Sequence, residues 1–176
     1  MQVKVKILTL VSNTVAGEGP GHSAVAVGKT IYTFEDAAGW FNSRSGWKTV
    51  DYNDYLAENV RRPVLVQTVP AAVANYVIEY IARSIANDDD YGGSGVCSQQ
   101  VSRAVNYSLP QNINFDPKGF DTPFGVYQCA RRLSLVSGEE YFWPGRSSIN
   151  VLAWARIVNK LRADYPVAFR SMDVSI

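Results

Sequence analysis

Cys97, His22 and Glu35 are the residues of this chain whose types and settings could carry out a reaction. Cys97 stands in Gly92-Gly93-Ser94-Gly95-Val96-Cys97-Ser98-Gln99-Gln100, a glycine-rich approach that empties into the start of a helix. Backbone N–H groups and the helix dipole at such a place favour negative charge, and a thiol there with a basic group nearby titrates well below its usual ~8.5. The same N–H groups can hold the oxyanion of a tetrahedral intermediate. A thiol that attacks a carbonyl needs a base to take its proton, and His22 is the only histidine in the sequence. A carboxylate beside that imidazole would hold its tautomer and support its charged form, the task of the third member of a catalytic triad.

Glu35 is set opposite His22 by a turn. In Gly21 to Glu35, read GHSAVAVGKTIYTFE, two short β-rich runs flank Gly28-Lys29, which suits a two-residue type II′ hairpin with glycine first. With Val27 facing Thr30, the pairs step outward through Ala26 and Ile31, Val25 and Tyr32, Ala24 and Thr33, and Ser23 and Phe34, to His22 and Glu35. Directly opposed residues share one face of a sheet. Cys129 is the contrast: it falls mid-helix on a stripe with Val126, Leu133 and Val136 and reads as core. A bridge between Cys97 and Cys129 stays open as an alternative, although two cysteines make no disulfide framework.

The elements that must position these residues follow from periodicity. Residues 2–11 alternate into a strand, and 12–21 form a glycine-rich loop that delivers the chain to His22. After the hairpin, 39–47 read as a loop carrying Trp40, Phe41 and Trp47, 51–60 as a short helix, and 64–69 as a strand. Pro70 suits the first turn of a long helix over 71–86, whose Val73, Val77, Tyr80, Ile81 and Ile85 form one apolar stripe. Further helices are expected over 96–107, from Thr122-Pro123 to about Leu135, and from a Ser147 cap to about Ala163, with 137–146 as a loop. The expected architecture is one α+β domain over residues 1–176, with a small, mainly antiparallel sheet packed against several helices.

Composition narrows the function classes. A net charge of +1 with no Lys/Arg run or basic stripe gives no nucleic-acid signature, and no apolar stretch approaches the roughly 18 residues that span a bilayer. The start, MQVKVKILTLVS, alternates like a strand rather than a signal peptide, so the chain is expected in the cytoplasm as synthesised, exported without a cleaved signal, or excised from a longer polypeptide. Asp88, Asp89 and Asp90 are adjacent and lack the spacing of a calcium loop, one histidine and two separated cysteines make no zinc site, and no Gly-Lys-Ser/Thr follows Gly92-Gly93. No metal and no cofactor is expected.

The order of His, acid, then Cys, with Gly-His before alternating small apolar residues and a later Gly-x-Cys-Ser opening a helix, resembles the circularly permuted NlpC-type papain-like hydrolases, over roughly residues 20–107. In that family the histidine strand precedes the nucleophile helix, the reverse of papain itself. The resemblance implies a permuted papain-like fold with Cys97 as nucleophile, His22 as general base and then acid, and Glu35 orienting His22. The family often has Glu soon after Cys-Ser, where this chain has Gln99 and Gln100. Relatives divide between peptidases or amidases of bacterial cell-wall peptides and acyltransferases or thioesterases of lipids. The resemblance implies a peptide or acyl substrate and favours peptidoglycan. It extends to toxin effectors that a bacterium neutralises at home with an immunity protein. A non-catalytic binding module with a structural Cys97 is the reading from another class.

Overall fold

The structure, a computed structural model, describes residues 3–10, 21–35, 46–59, 63–90, 95–117, 121–142 and 149–150. In chain order the elements are β1 (Val5–Leu10), β2 (His22–Val27), β3 (Thr30–Glu35), β4 (Gly46–Asp51), α1 (Tyr52–Glu58), β5 (Val64–Thr68), α2 (Ala74–Ala86), α3 (Cys97–Ser108), α4 (Pro123–Arg132), β6 (Gly138–Phe142) and β7 (Ile149–Asn150). The strands join in the order β4-β3-β2-β1-β5-β6-β7, every pairing antiparallel. Six strands have five or six residues and the seventh, β7, has two. The fold is therefore α+β, as expected, on a sheet wider than the small one anticipated.

Alternation divides this sheet into two dry faces. Val5, Ile7, Val25 and Val27 point to one face, where Val77 and Ile81 of α2, Val101, Ala104 and Val105 of α3, and Val126, Cys129 and Ala130 of α4 cover them. Leu8, Leu10, Ala24, Ala26, Ile31, Val64 and Val66 point to the other, together with Tyr55 of α1. Val101 is wholly buried, and hiding a side chain of that size from water contributes about 1.5–3 kcal/mol, so α3 is held on its face by strong burial.

The hairpin forms in the expected register. Val27 pairs with Thr30, Ala26 with Ile31, Val25 with Tyr32 and Ala24 with Thr33. Gly28 takes φ +63° while Lys29 stays out of the left-handed region, the signature of a type II′ turn. The N–H of Gly28 donates to the carbonyl of Lys4, so β1 also braces the turn.

Five local expectations need correction. Trp47, expected in a loop, lies in β4, and the segment 137–146 contains β6. The helix after Pro70 begins at Ala74, because Pro70 to Val73 turn first: the N–H of Ala72 donates to the carbonyl of Val69, and that of Val73 reaches the carbonyl of Ser108. The helix opened by Thr122 and Pro123 does start there, with Thr122 Oγ1 accepting from the N–H of Gly125, but it stops at Arg132 and Ser134 turns left-handed at φ +53°. Ile149 and Asn150 pair with Tyr141 and Glu140 as strand residues, so no helix runs from a cap at Ser147 through Ile149. The rest of that helix, and the loop tryptophans and phenylalanine at 40, 41 and 143 (Trp40, Phe41 and Trp143), lie outside the described residues.

Candidate active site

His22 opens β2 and pairs with Leu10 of β1. Continuing the hairpin register beyond Ala24 and Thr33 sets His22 against Glu35, and their side chains do meet: Nε2 of His22 lies 4.0 Å from Oε1 of Glu35. That separation is an ion-pair distance and too long for a hydrogen bond. The closer partner is Thr33, whose Oγ1 is 2.6 Å from Nε2 and donates across 3.0 Å to Oε1 of Glu35. Thr33 is fully buried, and the ammonium of Lys48, its pairing partner on β4, donates to Oε2 of Glu35 at 3.3 Å. One carboxylate is thus shared between a buried hydroxyl and an exposed lysine.

Sequence reasoning did not single out Thr33. The signal was present in the register, because a residue two positions from the directly opposed one is a diagonal neighbour on the same face and within side-chain reach.

Cys97 is the first residue of α3 and is 4% exposed. The helix begins there because Gly95, at φ +122°, turns the chain, and because Gln99 reaches back so that its Oε1 accepts from the N–H of Val96 at 3.0 Å. Val96 has no side-chain acceptor, so only this reverse half of a capping box forms. A Cβ on Gly95 would come within 2.9 Å of Gln99 Oε1, so glycine is required both for the turn and for the cap. The N–H groups of Cys97 and Ser98 precede the helical ladder, which opens with Gln100 N–H donating to the carbonyl of Val96. Gln100 is fully buried and accepts a 2.8 Å hydrogen bond from Tyr80 of α2. Gln99 is therefore a cap and Gln100 a helix-to-helix tie.

A hydrogen bond from the first turn of α3 leads toward the His22 end of the sheet. The hydroxyl of Ser98 donates to the carbonyl of Asp121, two residues before Pro123, whose carbonyl accepts from Thr9 of β1. Thr9 pairs with Ser23. The carbonyl of Asp89 lies against Gly46, the partner of Glu35. At the opposite end, Ser108 closes α3 beside Val73, near the start of β1. Burial pushes the Asp121 carboxyl above its usual range, against a hydrogen bond from Ser102 that pulls it down.

His22 and Glu35 are thus brought together, and Cys97 arrives at the same end of the sheet. The alternation of β2 then adds a constraint. His22 shares its face with Ala24 and Ala26, whereas α3 covers the face of Val25 and Val27. A side chain at the start of α3 could therefore meet the His22 ring only around the first residue of β2, not across the middle of a strand. Cys129 sits mid-helix at 1% exposure, and burial raises its thiol pKa, Arg132 pulling weakly the other way. No disulfide joins Cys97 and Cys129.

Among the described residues no group of three His, Cys, Asp or Glu side chains could hold a metal, and no helix is long and apolar enough to cross a membrane. No protein-family model matches the chain, no curated protein matches its sequence, and no solved structure matches its fold.

Proposed function

We propose that the protein is a cysteine hydrolase of the circularly permuted papain-like type, cleaving an amide through an acyl-enzyme on Cys97. One observation carries the reading: a cysteine opens a helix laid along β2 and β3, at the end of the sheet where His22, Thr33 and Glu35 are already linked. The imidazole takes the thiol proton as sulfur adds to the amide carbonyl, and the oxyanion meets the N–H groups of the first turn of α3. Collapse breaks the C–N bond, and the leaving amine takes the proton from the imidazolium. Water, giving a proton to the same imidazole, then attacks the thioester; the acid leaves and the thiol is restored. Substrate would lie across the end of the sheet.

Within this class we favour a bacterial cell-wall peptide as substrate and a secreted effector, neutralised by an immunity protein, as the biological setting. The support for both is the resemblance of the His22, Glu35 and Cys97 motifs. Incubation with purified peptidoglycan, and separately with phospholipid vesicles, followed by mass identification of products, tests the reading. Cut peptide that disappears in Cys97→Ala and His22→Ala is expected. Acyl transfer or release from phospholipid alone would redirect the proposal to a lipid acyltransferase or thioesterase.

A second reading, a non-catalytic binding module, is favoured by the burial of Cys97 and by the covering of opposite faces by α3 and the His22 side chain. Absence of any product together with iodoacetamide labelling of Cys97 no faster than that of Cys129 would select it.

A further inference from the structure

We infer that Thr33 is a positioning residue that transmits the direction of the Glu35 hydrogen bond to His22 and so fixes which imidazole nitrogen is the base. The inference deepens the hydrolase reading and rests on it for its catalytic meaning, though not for its chemistry. A carboxylate only accepts hydrogen bonds, and a threonine hydroxyl has one proton to give. Thr33 Oγ1 gives that proton to Oε1 of Glu35 at 3.0 Å. Toward Nε2 of His22, 2.6 Å away, the same oxygen is then an acceptor, so Nε2 carries the proton and Nδ1 the lone pair. A direct pair between Glu35 and His22 would need a shorter contact than the 4.0 Å present, and Thr33 fills that gap. Because Thr33 is fully buried, water does not replace its hydroxyl at low cost once it is removed.

The relay also accounts for both oxygens of Glu35. Oε1 accepts from the buried Thr33 and Oε2 from the exposed Lys48, so each oxygen has a partner. During turnover the imidazolium formed when Cys97 gives up its proton keeps donating through Nε2 to Thr33, and the negative charge of Glu35 stabilises it one hydroxyl removed.

The single histidine makes the test clean. The full chain, labelled with ¹⁵N-histidine, gives one imidazole in a proton–nitrogen correlation spectrum, recorded at a pH where the ring is neutral. The wild type is expected wholly in the Nε2–H form, with a hydrogen-bonded Nε2 proton. Thr33→Val, which keeps the shape and removes the hydroxyl, is expected to let both tautomers appear, and Thr33→Ser to restore the single form. Glu35→Gln, whose amide is able to donate, is expected to weaken the bias. On whichever substrate is cut, Thr33→Val should lower kcat by about one to two orders of magnitude, part of what a well-held base supplies, with KM changed less than about twofold. An Nδ1–H ring in the wild type, or a Thr33→Val ring as single-formed as the wild type, overturns the relay. If Thr33→Val does not fold, the wild-type and Thr33→Ser spectra still decide. A relay that reads as expected in a protein with no hydrolytic product refutes the hydrolase and leaves the relay standing; hydrolysis with an unchanged tautomer does the reverse.

Discussion

Two polar clusters in this molecule are built from the same parts and end in opposite conditions. At the end of β2 and β3, Glu35 joins His22, the Thr33 hydroxyl and Lys48, with its side chain 35% exposed. Between α4 and strands β5 and β6, Glu139 joins Arg131, the Tyr141 hydroxyl and the amide of Gln67, with its side chain 16% exposed. Tyr127 completes that second cluster by pairing its hydroxyl with Tyr141 at 2.9 Å, and the carbonyl of Tyr127 accepts from Gln67. In the sealed cluster a carboxylate, a guanidinium and two phenols lock a helix to a sheet. In the open one the carboxylate faces an imidazole that is partly exposed to solvent. A half-buried, multiply hydrogen-bonded ion pair fixes geometry, whereas a proton can be moved only where its donor can be reached.

The comparison can be broken in order of effect. His22→Ala should abolish hydrolysis, a loss above about a thousandfold in kcat/KM, with the melting temperature changed by only a few degrees; matching losses of activity and fold would erase the distinction. Glu139→Ala should do the opposite, costing about 1.5–2 kcal/mol in urea unfolding because Arg131 and Gln67 each lose a charge-assisted hydrogen bond that is only partly screened by solvent, while the folded fraction keeps its activity. Tyr141→Phe should cost about 1 kcal/mol, since the phenol of Tyr127 and the carboxylate of Glu139 each lose a partner. Lys48→Ala, at an exposed pair, should change stability by about half a kcal/mol or less, with the residual effect shrinking further in salt.

A pH titration sharpens the same contrast. Burial raises the phenol pKa of Tyr127 and of Tyr141, and it pushes Tyr52 up to about 12, with Glu140 adding to that shift. The folded state holds these protons more tightly than the unfolded chain, whose tyrosines titrate near 10. Their contribution is therefore complete below about pH 10 and is lost as pH rises above it. The urea midpoint should fall steadily from about pH 10 upward, and less steeply in Tyr127→Phe. A midpoint flat to pH 12 would mean that these phenols are not held as the structure has them.

Much of the candidate site was legible because a two-residue turn fixes a register, and a register fixes neighbours. Gly28 and Lys29 were enough to bring Glu35 to His22. Thr33 was harder to see, since it acts from a diagonal position and its type is common in strands. The face of the sheet that α3 covers could not be read at all. The stripe of Val101, Ala104 and Val105 states that one side of the helix is buried, and nothing local states against which side of the sheet. The missed strands have their own reasons. In β4, Lys48 and Thr49 are both exposed at a sheet edge, which removes the alternation. In β6, the inward position of Glu139 is polar because the sealed cluster uses it, so hydrophobicity alone pointed to a loop.

β1 sits in the middle of the strand order, between β2 and β5. Its first neighbour follows after a short span, but the second begins at Val64 and is flanked in turn by β6 from Gly138. A ribosome would therefore release β1 before either neighbour, and its far-side partner only after the β2–β3–β4 meander and α1. Until then one edge of β1 has unpaired backbone groups beside Ile7 and Leu8, an invitation to self-association. Long sequence separation slows such closures, so refolding from denaturant should depend on protein concentration more than its equilibrium stability does.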